Sequence, residues 1–270
     1  MLAVALVLAT AACAPKHLIL PAGSSTPVTD FRAPFEQASG PCRGVRTVRT
    51  TIALSGRAGG QRLRATLIAG LEQPDALRFE AVAPFGPPTF ILVAHAGSAT
   101  LLLPRDNRVL TGVPAADILE ALAGIRLDPA ALRGILTGCV VADPQPAAGR
   151  IFDNGWMAVE VGESTLAYLR QERATWRIVA GLLPGLEVRY RQFEIGLPRQ
   201  LQIRSRTDQP PAVAVDVTLA LSDVATNLTM KPGTFSVDVP SDAAPMTLAE
   251  LRDAGPLGGK GGGRGPGAAQ

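Results

Sequence analysis

The sequence predicts a mostly β protein: one large antiparallel sheet, curled around an apolar concave face, with short helices covering that face. Three observations predict it. From residue 45 onward, apolar and polar residues alternate with period two, as antiparallel strands with one wet face do. Turn formers interrupt these runs at roughly the 8–12-residue spacing of sandwiches and barrels. In the middle of the chain the period switches to that of a helix and then back. A sheet of this many strands must curl.

The first residues read differently. MLAVALVLATAAC is an apolar run ending in small residues and a Cys. It is too short to span a bilayer, which takes roughly 20 residues. It reads as a secretory signal over 1–12. Ala11-Ala12 before Cys13 resembles a bacterial lipobox, whose Cys is lipidated and becomes the new N-terminus. No Lys or Arg lies between Met1 and Leu8, and Thr10 stands where Leu is usual. An ordinary signal peptide is the other reading. Residues 13–43 are rich in Pro, Ser, Thr and Gly, and are expected to be a tether with a short helix near Pro34 to Ala38.

The strands follow. In VRTTIALSG, Val48, Thr50, Ile52 and Leu54 share a face. In RLRATLIAGL the inward set includes Leu63 and Leu67, and in ALRFEAVA it includes Leu77 and Phe79. Gly59-Gly60 and Gln73-Pro74-Asp75 mark hairpin turns. TFILVAH, with Leu92, and ATLLLP complete the first group. TFILVAH is apolar on both faces, as a strand covered on both sides would be.

VPAADILEALAG then places Ile118, Leu119 and Leu122 at helical spacing. DPAALRGILTG offers Asp128 as N-cap, Pro129 at the first helical position and Gly138 past the end. Strands resume with GRIFD, WMAVEV, TLAYLRQ, ATWRIVA, LEVRYRQFEI, RQLQIRSR, AVAVDVTLAL, ATNLTM and TFSVDV. TLAE at 247–250 is a capping-box pattern for a last short helix. The Gly-rich segment 255–270 cannot form a core and is expected to be disordered.

Chemistry is sparse. The two histidines, His17 and His95, have no partner that the sequence brings near them, and a lone structural His is the better reading of His95. Nothing has metal-ligand spacing, a nucleophile elbow or a phosphate loop. No catalytic residue, cofactor or metal is expected. Net charge is +3. The arginines are dispersed among acids, and aromatic content is 4%. That does not make a nucleic-acid footprint. With Cys13 lipidated, Cys42 and Cys139 remain. Beyond a secretion signal an even pair suggests a disulfide; two buried free thiols are the other reading. The apolar concave face is either a packed core or a cavity lined by Ile52, Leu54, Leu63, Leu67, Leu77, Phe79, Leu92, Ile118, Leu119 and Leu122.

Four stretches taken together carry a family resemblance over roughly residues 44–240. ALRFEAVAPFG is similar to a strand ending in a P-L-G hairpin tip, with Phe85 in place of Leu. ILEALAGIRLDPAALRGILTG is similar to paired helices ending in L-x-x-W-[IL]-x-G, without the Trp. LEVRYRQFEIGLPRQLQI is similar to W-x-V-x-Y…LP…L-x-L, with Leu186 where Trp is usual. The lipobox fits an anchored branch. The chain thus resembles the LolB family of lipid-anchored outer-membrane lipoprotein receptors, within the LolA/LolB superfamily. The resemblance implies an open antiparallel half-barrel of about 11 strands spanning 44–254, with the helices as its lid. It also implies binding of lipoprotein acyl chains or another lipid, exchange with a soluble LolA-like carrier, no catalysis, and an outer-membrane location facing the periplasm. Phe85, flanked by Pro84 and Gly86, would be the membrane-inserting tip. The other reading tucks Phe85 against Phe79 or Phe90. A non-transport binding module of the same shape, a stress sensor or assembly accessory, is the alternative function.

Overall fold

A computed structural model describes residues 18–211 and 213–254. The elements in chain order are β1 (Ser25–Val28), α1 (Arg32–Arg43), β2 (Thr47–Ala58), β3 (Gln61–Glu72), β4 (Ala76–Val82), β5 (Ile91–His95), β6 (Ser98–Leu103) and β7 (Arg108–Val113). There follow α2 (Ala115–Ala123), α3 (Pro129–Thr137), β8 (Ala148–Phe152), β9 (Met157–Gly162), β10 (Thr165–Glu172), β11 (Thr175–Leu183) and β12 (Leu186–Glu194). The chain closes with β13 (Leu197–Ser205), β14 (Val215–Thr226), β15 (Ala244–Pro245) and α4 (Leu248–Ala254).

All fifteen strands belong to one sheet, ordered β1-β8-β9-β10-β11-β12-β13-β14-β2-β3-β4-β5-β6-β7-β15. Every pairing is antiparallel except β15 on β7. The sheet is open, with β1 and β15 at its edges. Two meanders, β2–β7 and β8–β14, meet where Leu219 faces Leu54 and Leu221 faces Ile52. One continuous apolar core fills the inner side and takes in residues of α1, α2, α3 and α4.

The strand count exceeds the expected 11. β7 escaped the sequence reading because its Gly112 has φ +78 and its register shifts against β6, which breaks the alternation. ATNLTM is not a separate strand, since its first two residues end β14, and TFSVDV over 234–239 is irregular. TFSVDV is held instead by Arg78, whose guanidinium donates to the carbonyls of Thr234 and Ser236.

The expected tether over 13–43 is largely built into the domain. β1 pairs with β8, from Ser25 opposite Phe152 to Val28 opposite Gly149. The short helix expected near Pro34 to Ala38 is there as the longer α1, and its Phe35 is completely buried. Phe31 lies so close to Gly149 that a Cβ there would sit 2.3 Å from it, so Gly149 makes room for the helix entry. Leu18 and Leu20 pack on the outer face of the sheet, against a small cluster that includes Trp156 and Tyr168. The signal segment, Cys13, His17 and the tail 255–270 lie outside the described residues.

Candidate functional site

The helix pair forms as its sequence dictates. Asp128 accepts a hydrogen bond from the Ala131 amide at 2.7 Å, and Pro129 opens α3. Gly124 and Gly138 close α2 and α3 in the left-handed region, at φ +70 and +91, where glycine carries no steric penalty. These caps confine the link between the helices to Gly124–Asp128, and that link lies over the sheet.

Beneath it is a cavity of about 80 Å³. Its floor is Ile52 and Leu54 of β2, Leu67 of β3 and Phe79 of β4, with Ile203 of β13 and Val217 and Leu219 of β14 beyond the seam between the meanders. Its roof is Leu119 and Leu122 of α2, Ile125 and Leu127 of the link, and Leu132 and Leu136 of α3. Every lining residue is apolar, so nothing in the wall can fix a polar ligand or carry acid–base chemistry. Pockets that enclose small molecules typically run to about 300–1,000 Å³. This one is a narrow seam that must widen to admit a chain.

Six of the ten residues expected to line a cavity do so: Ile52, Leu54, Leu67, Phe79, Leu119 and Leu122. The other four do not. Leu63, Leu77, Leu92 and Ile118 face the same side but are packed within the core. Leu77 and Leu92 lie where β4 and β5 pair, and Ile118 is completely buried in α2, which packs against β6. The residues missed are mainly those of β13, β14 and the link. Their strands and alternation were legible, but their adjacency to β2 was not.

The two halves of the roof are held differently. Cys139, just past α3, is disulfide-bonded to Cys42 in α1, with a Cα–Cα distance of 5.6 Å. The Arg133 guanidinium, only 5% exposed, donates to the Val45 carbonyl at 3.0 Å. Burial lowers its pKa. Gly134 passes so close to the Val141 backbone that a Cβ would sit 2.5 Å away. By contrast, α2 is tied to the link by surface ion pairs of Arg126 with Asp117 and Glu120, and it rests on α4. α3 is stapled covalently to α1, whereas α2 is held by packing on α4 and β6 and by surface ion pairs.

The hairpin tip between β4 and β5 is the second feature. Phe85 is 88% exposed, whereas Phe90 on the same loop is buried. Arg105 donates to the carbonyls of Phe85, at 2.6 Å, and Pro87, at 3.3 Å. Gly86 takes φ +76. The tip is therefore braced from the neighbouring turn with its ring outside. Among the described residues, no cluster of His, Cys, Asp or Glu could hold a metal ion, and no helix is long and apolar enough to cross a membrane.

An open, highly stranded antiparallel sheet with a helix pair over an apolar seam defines a LolA-like architecture. Neither a family profile nor a curated protein sequence matches the chain. Among solved structures, it is similar to the LolA superfamily protein NE2245 from Nitrosomonas europaea, at 9% identity and a TM-score of 0.50, over 76% of this chain and 97% of that one. It is also similar to a DUF1329 family protein from Desulfovibrio piger, at 10% identity and a TM-score of 0.44, over 76% and 96%. The Mycobacterium tuberculosis lipoprotein LppX aligns at 10% identity and a TM-score of 0.30, over 77% and 96%. Of these three, the NE2245 likeness carries the assignment, and what it establishes is the fold.

Proposed function

We propose that the protein is a lipid-anchored binder of acyl chains, of LolB-like role, which accepts lipoproteins or other amphiphiles and helps place them in the outer membrane. The observation that carries this reading is the wholly apolar seam beneath the helix pair. Each methylene buried there is worth roughly 0.8 kcal/mol. Small differences in burial between carrier, receptor and bilayer would then set the direction of exchange without an energy source. Entry of a chain requires α2 to swing away while α3 stays stapled. Phe85 is the membrane-contacting tip, and lipidated Cys13 is the anchor.

The test is recovery of lipid. Purified protein is extracted with organic solvent, and a fluorescent fatty acid is titrated in. Bound acyl lipid and saturable, displaceable probe binding are expected. The small volume of the seam favours a second reading, a non-transport module that never widens. Extracts without acyl lipid, together with no probe binding, would establish that second reading. Release of the Cys13→Ala protein from membranes is expected from the anchor, and a variant that stayed bound would overturn it.

A further inference from the structure

A basic groove of about 920 Å³, apart from the cavity, lies at the end of β10–β12 that carries the β10–β11 turn. Its walls include Arg170, Arg173, Arg177 and Arg191, with the rings of Trp156 and Phe193 between them. Register makes this an unusual concentration. Arg170 lies directly opposite Arg177 across the β10–β11 pair, and facing like charges oppose strand pairing. Stacking holds both side chains: Arg170 lies over Trp156 at 5.7 Å and Arg177 over Phe193 at 5.2 Å. A stacked guanidinium keeps its donor edge free for an anion. Three buried groove atoms have no hydrogen-bond partner: Arg177 Nε, one terminal nitrogen of Arg191 and the Tyr190 hydroxyl. Buried donors left unpaired are costly and call for an acceptor. Among the described residues, Glu172 is the only carboxylate lining the groove. It stays 3.9 Å from Arg177 Nε, too far for a hydrogen bond.

The groove also has an address. Leu18 and Ile19 line it, and Ile19 is 80% exposed. Leu18 lies five positions on from Cys13, a reach of at most about 18 Å. An anchor at Cys13 therefore holds this groove within headgroup range of a bilayer. We propose that the groove binds the phosphate of an amphiphile headgroup, with the arginine edges as donors. This deepens the lipid-binding reading and rests on it for the source of the phosphate.

The experiment uses the full chain with Cys13→Ala, so that the anchor contributes nothing. Sedimentation is measured with phosphatidylcholine vesicles, with and without phosphatidylglycerol. Inorganic phosphate is titrated separately by calorimetry. The groove variant is Arg170→Gln with Arg191→Gln. The control is Arg62→Gln with Arg64→Gln at the far strand end, where Arg62 also faces an arginine, Arg57, but with both heads exposed. Affinity for anionic vesicles is expected to fall about fivefold per groove arginine, roughly 25-fold for the pair, with the control unchanged. Phosphate binding that is lost in the groove variant, without vesicle binding, would keep the site and make its ligand a soluble phosphate. Equal losses in groove and control variants, or no loss in either assay, would overturn the proposal. If the Gln pair fails to fold, Arg170→Lys with Arg191→Lys keeps the charge and removes the fork, and it is expected to weaken phosphate binding. Leu119→Glu, which blocks the cavity, is expected to leave headgroup binding intact, so failure of the groove and failure of the acyl reading are separable.

Discussion

Cys42 and Cys139 join the last turn of α1 to the exit of α3 across 97 residues of sequence. The bond closes a loop that contains the whole β2–β7 meander and both roof helices. In the chain-entropy account, closing a loop of that size restricts the unfolded state strongly. In the folded state the same bond ties the exit of α3 to α1.

Removing the bond should therefore cost stability. Cys42→Ser with Cys139→Ser is expected to lose about 2–4 kcal/mol in urea unfolding. In the denatured Cys13→Ala protein, two thiols should titrate with reductant and none without. Equal counts in the two conditions would refute the link.

Leu119 tests the roof. It is half-buried on α2 and reaches the cavity. Leu119→Glu puts a carboxylate at an apolar wall, which disfavours a chain there. Fatty-acid probe binding should be lost, while stability falls by about 1 kcal/mol because the side chain can turn to water. Undiminished probe binding would remove the seam as the acyl site.

Phe85 tests the tip. With the ring 88% exposed, Phe85→Glu should change stability by less than about 0.5 kcal/mol. Delivery of a lipoprotein from a carrier into vesicles should fall. A destabilised variant would show that the ring packs in solution.

Glu250 gives a pH dependence. It caps α4 by accepting from the Thr247 amide at 2.7 Å and hydroxyl at 2.9 Å, and it pairs with Arg108 of β7 at 2.7 Å. The Thr247 amide, then Arg108, then the Thr247 hydroxyl hold its pKa down at about 2. A depressed carboxylate contributes its stability above the unfolded value, near 4.3, and loses it as pH falls toward 2. Protection of α4 amides in hydrogen exchange should decline over that window. In Glu250→Gln the decline should be absent, with α4 already less protected at neutral pH.

Much of this protein is legible in its sequence because the signals are local. Period two in β2, β3 and β4 follows from alternating Cβ directions. Asp128, Pro129 and Gly138 mark the ends of α3 by satisfying helix-terminal groups, and Thr247 with Glu250 does the same for α4. Pro84, Gly86 and the paired prolines after them mark a tip. The remainder depends on which strand lies beside which. Alternation tells a residue its face and not its neighbour. Only the β14–β2 pairing brings Val217 and Leu219 to Ile52 and Leu54 to close the cavity floor. Only the β10–β11 register sets Arg170 against Arg177. Only the pairing of β1 with β8 and the packing of Phe31 on Gly149 build the apparent tether into the domain. The sequence by itself determined the strands, the caps and the apolar faces. The tertiary structure decided the seam, the staple and the groove, because each is made by residues far apart in the chain whose contact depends on global register.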